Sequence, residues 1–165
     1  MDRPFRVLMV CMGNICRSPT AHGVLEKLAS DARLSGRIEV DSAGTHGYHV
    51  GRPPDRRAQE HAARRGYNLS AQRARALTAG DFAHFDLVLV MDGDNEQSAR
   101  MACPAEMRHK LHRLTDFGSR FPDSEVPDPY YGGDQGFEHV LDLVEDACAG
   151  VLQAIRAGLR ASPRA

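Results

Sequence analysis

Apolar positions along the chain fall into short blocks separated by polar stretches rich in Gly and Pro, and the blocks alternate between a strand-like and a helix-like period. Phe5 to Val10 is a compact apolar run that ends in Cys-Met-Gly-Asn, which predicts a buried strand followed by a loop. From Ser18 to about Ser30 the period changes. Val24, Leu25 and Leu28 recur at helical spacing, with Ser18 as N-cap and Pro19 at the first helical position. Ile38 to Ala43 predicts a second strand. Gly44, Gly47, Gly51, Pro53 and Pro54 then mark a long loop before a helix from Asp55 to Arg65, stopped at Gly66. Asp86 to Met91 is the clearest buried strand, with helix-compatible sequence from Asp92 onward. Leu111 to Thr115 predicts a fourth strand, Phe117 to Gly136 a loop, and Phe137 to Leu159 a long amphipathic helix.

Strands alternating with helices predict a single-domain α/β fold over residues 1–165. The expected architecture is a doubly wound, parallel four-stranded sheet with helices on both faces. The chain shows neither internal repeats nor a linker, and Ser162 to Ala165 reads as a frayed tail. Composition narrows the function. With 42% hydrophobic and 26% charged residues, disordered and fibrous classes fall away. The 21 Lys and Arg against 22 Asp and Glu leave a net charge of -1, too little field to gather nucleic acid or an anionic membrane. Neither is expected as a partner. The apolar run Val7 to Cys11 is too short to span a bilayer and lacks the features of a leader, so a soluble, cytoplasmic chain is expected. Cys11, Cys16, Cys103 and Cys148 lack zinc-like spacing, as do His109 and His112, and read as reduced thiols and surface polarity. No metal or other cofactor is expected.

In such sheets ligands sit beyond the carboxyl ends of the strands, and the first strand-to-helix turn is the natural site. That turn reads Cys11-Met12-Gly13-Asn14-Ile15-Cys16-Arg17-Ser18-Pro19. If the residues between Cys11 and Arg17 curl around a point, their N-H groups converge with the first helical amides into a phosphate-binding loop. Gly13 and Asn14 tolerate the positive φ that such a curl needs. Arg17 closes the ring with a planar fork suited to two phosphate oxygens. The same field stabilises a Cys11 thiolate, so nucleophile and cradle aim at one phosphorus atom.

The run from Cys11 to Pro19 resembles the signature of the low-molecular-weight protein tyrosine phosphatases, and the resemblance extends over nearly the whole chain. It includes Asp41-Ser42-Ala43-Gly44, Tyr48-His49-Val50-Gly51, Asp81-Phe82, Met91-Asp92 and Asp128-Pro129-Tyr130-Tyr131-Gly132. The resemblance implies hydrolysis of phosphotyrosine in proteins through a phosphocysteine. Cys11 is then the nucleophile, Arg17 holds the phosphoryl group, and Asp128 is general acid and afterwards general base. Met12, Gly13, Asn14, Ile15, Cys16 and Ser18 form the loop around the phosphate. Tyr48, Tyr130 and Tyr131 would wall a slot for a flat phenyl ring. Asn14, Ser18 and Ser42 match residues that hold the loop's shape. Gln72 stands ahead of Arg73-Ala74-Arg75 where the family usually carries a histidine, and it still offers a hydrogen bond there without a charge. The implied partner is a tyrosine-phosphorylated protein, a tyrosine kinase among the candidates. The expected state is a monomer, with weak self-association left open.

Plainer readings stand beside these. Cys11 is also a plausible buried core thiol, Asp128 an Asp-Pro turn residue, and Tyr48 or Tyr131 a half-wet aromatic. Asp92 reads more readily as a helix N-cap than as a catalytic group. Cys16 either packs as a small apolar side chain or captures an oxidised Cys11, since a curled loop brings the two together. Two other functions use the same cradle. An arsenate reductase of this fold needs two further relay cysteines, whereas Asp92 to Ala102 has none and Cys103 stands alone. A non-catalytic phosphate-binding or redox module has no use for the proton donor that Asp128 offers.

Overall fold

The computed structural model describes residues 3–130 and 132–158. Its elements run β1 (Phe5–Cys11), α1 (Arg17–Asp31), β2 (Ile38–Gly44), α2 (Arg56–Arg64), α3 (Ala79–His84), β3 (Leu87–Val90), α4 (Gly93–Ala102), β4 (Leu111–Arg113) and α5 (Gly133–Ala157). The four strands form a parallel sheet in the order β2-β1-β3-β4. Register places Val7 opposite both Val40 and Leu87, and Val88 opposite Leu111. The anticipated α/β class and doubly wound parallel sheet are present.

Alternation along β1 builds two apolar layers. Val7 and Met9 face a cluster with Val24 and Leu25 of α1 and Leu141, Val144 and Val151 of α5. Leu8 and Val10 face the opposite cluster, with Phe82 of α3, Ala99 of α4 and Val88 and Val90 of β3. Each fully buried side chain of this size contributes roughly 1.5 to 3 kcal/mol. Both faces are apolar, so β1 and β3 read as continuous hydrophobic runs rather than as alternating ones. The chain leaves β1 toward β2 on one side and returns to β3 on the other. The loops after β1 and β3 therefore part, and the crevice between them is where an α/β sheet places its ligand.

Boundaries depart from expectation where side chains compete with the backbone. Helix α1 begins at Arg17, with Cys16 at the N-cap position and no side-chain cap. Ser18 is thus inside the helix, and its hydroxyl faces the Cys11 sulfur at 3.1 Å instead of capping. Helix α2 begins one residue later than expected, at Arg56, because Asp55 caps it, its carboxylate accepting from the N-H groups of Arg57 and Ala58. It closes at Gly66, which takes the positive φ of 91°. Strand β4 ends two residues early because Leu114–Phe117 tightens into a 3₁₀ turn. Helix α3 is an addition, and α5 starts four residues sooner than its apolar pattern, at Gly133. The predicted end of that last helix at Leu159 and the tail at Ser162 to Ala165 lie outside the described residues. Among the described residues, no helix is long and apolar enough to cross a membrane.

Candidate active site

The loop after β1 turns at Asn14, whose φ of 58° lies in the left-handed region that Asn tolerates better than most residues. Its buried side chain makes the turn worthwhile. Asn14 Nδ2 donates to Ser18 Oγ at 2.8 Å and to Ser42 Oγ at 2.9 Å, while Oδ1 accepts from the Arg75 N-H at 2.9 Å. Ser42 Oγ in turn donates to Gln72 Oε1 at 3.4 Å, and Gln72 Nε2 donates to the Pro19 carbonyl at 3.0 Å. An uncharged Gln72 thus ties Ser42 to the start of α1. Gly44, at the end of β2, lies against the loop so closely that a Cβ there would come within 2.7 Å of the Met12 carbonyl oxygen.

Cys11 ends β1 at 2% exposure. Its sulfur receives the Asn14 N-H at 3.3 Å and stands 3.1 Å from Ser18 Oγ. Ser18 Oγ already accepts from Asn14 Nδ2, and its other neighbour, the Ala43 carbonyl, is more distant at 3.5 Å. The hydroxyl proton is therefore best directed at the sulfur. Two donors then converge on one sulfur, the arrangement a thiolate accepts.

Arg17 is 3% exposed, and its charge is met by three residues on two segments. Nη1 donates to Asp92 Oδ2 at 2.6 Å and to the Val126 carbonyl at 3.1 Å. Nη2 stands 3.9 Å from Asp128 Oδ2, too long for a hydrogen bond. Burial opposes the guanidinium's charge, yet Cys11, Asp92 and Asp128 together outweigh it and raise the Arg17 pKa above its ordinary value. Asp92 was expected as an N-cap, and it is one, because Oδ1 accepts from the Asn95 N-H at 2.8 Å. Its second oxygen holds Arg17, a role the sequence reading ranked below capping.

Asp128 sits on the segment between the 3₁₀ turn and α5. Buried Val126 pins that segment, donating its N-H to the Met91 carbonyl at 2.7 Å. Asp128 Oδ1 accepts from the Tyr130 N-H at 3.0 Å, so Oδ2 is the oxygen turned toward Arg17. A cavity of about 360 Å³ is lined by Cys11, Met12, Gly13, Ile15, Cys16, Arg17, Tyr48, His49, Asp128 and Tyr130. Tyr48 is 72% exposed and stacks on His46 at 5.2 Å, and Tyr130 is 38% exposed. Tyr131 lies outside the described residues. His49 was not singled out from the sequence as a site residue. Its ring rests on the loop, and a Cβ at Gly13 would come within 2.9 Å of it. A larger hollow of about 530 Å³ over α2, lined by Arg56, Gln59, Tyr67 and Asn68 among others, contains no nucleophile. The smaller cavity is the one with chemistry.

Cys16 is buried beside Ile15, Ala58 and Phe137. Burial pushes its thiol pKa up, the charges of Asp55, Cys11 and Asp128 add to the shift, and Arg57 opposes it. Cys16 is thus a neutral thiol. Cys148 is buried in α5, where its sulfur donates to the Ala21 carbonyl, and Cys103 is buried in the cluster on the opposite face of the sheet.

The loop's shape depends on Asn14, and substitution tests it. Asn14→Ala leaves the Arg75 N-H without its acceptor and places a Cβ residue without local hydrogen bonds at a positive φ. We expect a stability loss of about 2 to 4 kcal/mol in urea unfolding. Competitive inhibition by inorganic phosphate should weaken in parallel. Asn14→Gly should recover the conformational part of the stability but not the phosphate affinity. Wild-type phosphate inhibition in both variants would contradict the role given to Asn14.

Comparison with known proteins agrees with this geometry. Residues 6–161 match the family model of the low molecular weight phosphotyrosine protein phosphatases. A Synechocystis protein named as a candidate low molecular weight protein-tyrosine-phosphatase is 49% identical over 151 residues, covering 91% of this chain and 96% of that one. The human low molecular weight phosphotyrosine protein phosphatase is 40% identical over 149 residues, covering 89% and 93%. A crystal structure of a protein tyrosine phosphatase from Entamoeba histolytica, with Hepes in its active site, superposes with a TM-score of 0.91 at 38% identity, covering 93% of this chain and 98% of that one. The matched residues 6–161 include the loop after β1 and the Asp128 segment, and the chain belongs to the low molecular weight phosphotyrosine protein phosphatases, enzymes that hydrolyse phosphotyrosine in proteins.

Proposed function

We propose that Cys11, Arg17 and Asp128 divide the phosphatase reaction between them as nucleophile, phosphoryl clamp and proton donor. The observation that carries the assignment is the sulfur of Cys11, which meets the Asn14 N-H and Ser18 Oγ at the end of β1, beside a buried guanidinium. With Nη1 of Arg17 fixed by Asp92 and Val126, its Nη2 and Nε are the donors aimed at two phosphoryl oxygens. The loop amides from Met12 to Arg17 take the remaining negative charge. Cys11 Sγ attacks phosphorus, the ester P-O bond breaks, and Asp128 Oδ2 gives its proton to the departing phenolic oxygen. Asp128 then takes a proton from water as that water attacks the phosphocysteine, releasing inorganic phosphate and the thiolate.

Tyr48 and Tyr130 are offered as walls for the phenyl ring. A phosphorus atom at the base of this cavity suits the long arm of phosphotyrosine better than the short arm of phosphoserine. The partner in this reading is a tyrosine-phosphorylated protein, with a tyrosine kinase among the candidates, and the acting species is a monomer. The family sets aside the reductase and the binding-only module.

Cys16 supports a second, protective reading. Peroxide converts the Cys11 thiolate to a sulfenic acid with release of hydroxide, and the neutral Cys16 thiol then displaces water to form a disulfide. Cys11 and Cys16 line one cavity, which favours this pair over Cys103 and Cys148.

Asp128→Asn separates proton donation from support of the loop. General acids contribute about 10² to 10⁴-fold, so phosphotyrosine turnover should fall by that order. Turnover of p-nitrophenyl phosphate, whose leaving group needs little protonation, should fall far less. Equal slowing of both substrates would assign Asp128 to structure. For the redox reading, peroxide inactivation should be reversed by dithiothreitol in the wild type and become irreversible in Cys16→Ser. Mass spectrometry that linked Cys11 to Cys103 or Cys148 would overturn the pairing.

A further inference from the structure

Helix α2 begins where the phosphate loop and the Asp128 segment come closest to a shared support. The Asp55 N-H donates to the Ile15 carbonyl at 2.8 Å, which fastens the start of α2 to the loop around the cavity. Two residues on, Arg57 reaches the other way. Its Nη2 donates to the Tyr130 carbonyl at 2.9 Å, and its guanidinium lies 5.3 Å from the Tyr130 ring centre and 4.8 Å from that of Phe137. The His61 ring also stacks on Phe137, at 5.4 Å and only 5° from parallel. His61 is buried and held through both nitrogens, by Glu138 and, at 3.3 Å, by Asp134.

Tyr130 is the residue that orients the proton donor, because its N-H is the bond that occupies Asp128 Oδ1. Its carbonyl is the group Arg57 grips. A planar guanidinium inserted between two rings, with one N-H on a carbonyl, fixes both height and rotation of what it holds, which a flexible ammonium does not. We propose that Arg57 is a positioning residue that sets the direction of Asp128 Oδ2 relative to Cys11 and Arg17, acting through the backbone of Tyr130. Asp55 assists by accepting from the Arg57 side chain, with both contacts at 3.4 Å. The inference rests on the assignment of Asp128 as proton donor.

Its test is kinetic. Arg57→Ala preserves the backbone N-H that Asp55 caps, so α2 keeps its start. A misplacement on the order of 1 Å at a reacting group costs up to about 10²-fold. Arg57→Ala should therefore lower kcat on phosphotyrosine by roughly ten-fold and on p-nitrophenyl phosphate by less than about two-fold, with phosphate inhibition unchanged. Arg57→Lys keeps the charge but loses the flat face and the fork, and should show the same selectivity. It also decides the matter if the alanine protein does not fold. In an Asp128→Asn background, Arg57→Ala should add no selectivity between the two substrates. Asp128→Asn measured alone keeps the two assignments apart: loss of selectivity there would sink the proton-donor reading itself. If Asp128→Asn is selective while both Arg57 variants slow the two substrates equally, or if Arg57→Ala adds its factor in the Asp128→Asn background, the positioning role is wrong.

Discussion

A guanidinium at 3% exposure is the constraint around which this molecule is arranged. An unpaired charge so far from water costs several kcal/mol, and a single partner rarely offsets that cost unless further hydrogen bonds complete the shell. Arg17 obtains them from Asp92 at the end of β3 and from the Val126 carbonyl, with Asp128 nearby. Two separate stretches of chain, one after β3 and one before α5, therefore converge on one cation that lies next to the Cys11 sulfur. In the function we propose, the geometry that satisfies Arg17 is also the one that binds the phosphoryl group.

The sheet makes that convergence inexpensive. β1 and β3 are adjacent and parallel, so Cys11 and Asp92 emerge at the same edge of the sheet without a long excursion. β2 adds Ser42 and Gly44 on the other side, one to hold Asn14 and one to leave room for the loop. The ends of β1, β2 and β3 thus each contribute to the site, with two apolar layers beneath them. The support continues outward through Arg57 and Phe137, which carry the order of the core to a segment that is itself partly exposed.

Much of this was legible in the sequence, for physical reasons. The strands β1 and β3 are apolar enough on both faces to read as buried, and the spacing of Cys11 and Arg17 directly after the first strand and before a helix is what an anion site needs. What escaped was set by tertiary competition. Ser18 has the chemistry of an N-cap, but the sulfur beside it claims its hydroxyl. Helix α3 has six residues, and its only large apolar side chain is Phe82, too little for a periodicity. The Thr78 and Asp81 pair was the available signal, since Asp81 Oδ2 accepts from the Thr78 N-H at 2.8 Å. Asp92 offered two oxygens, and capping described only one. His49 and Arg57 touch partners dozens of residues away, His49 at Gly13 and Arg57 at Tyr130, and local pattern does not encode such pairs.

The central claim is that Cys11, rather than Cys16 in the same cavity, carries the phosphoryl group. Burial leaves Cys16 a neutral thiol, and the hydrogen-bond donors converge on the Cys11 sulfur instead. Rapid acid quench during turnover of phosphotyrosine, followed by peptide mapping, reads this directly. The peptide spanning the loop should carry one phosphoryl group on the sulfur of Cys11, formed and lost at rates that account for turnover. A phosphoryl group found on Cys16, or continued turnover by Cys11→Ser with no phosphorylated sulfur at any time, would contradict the account.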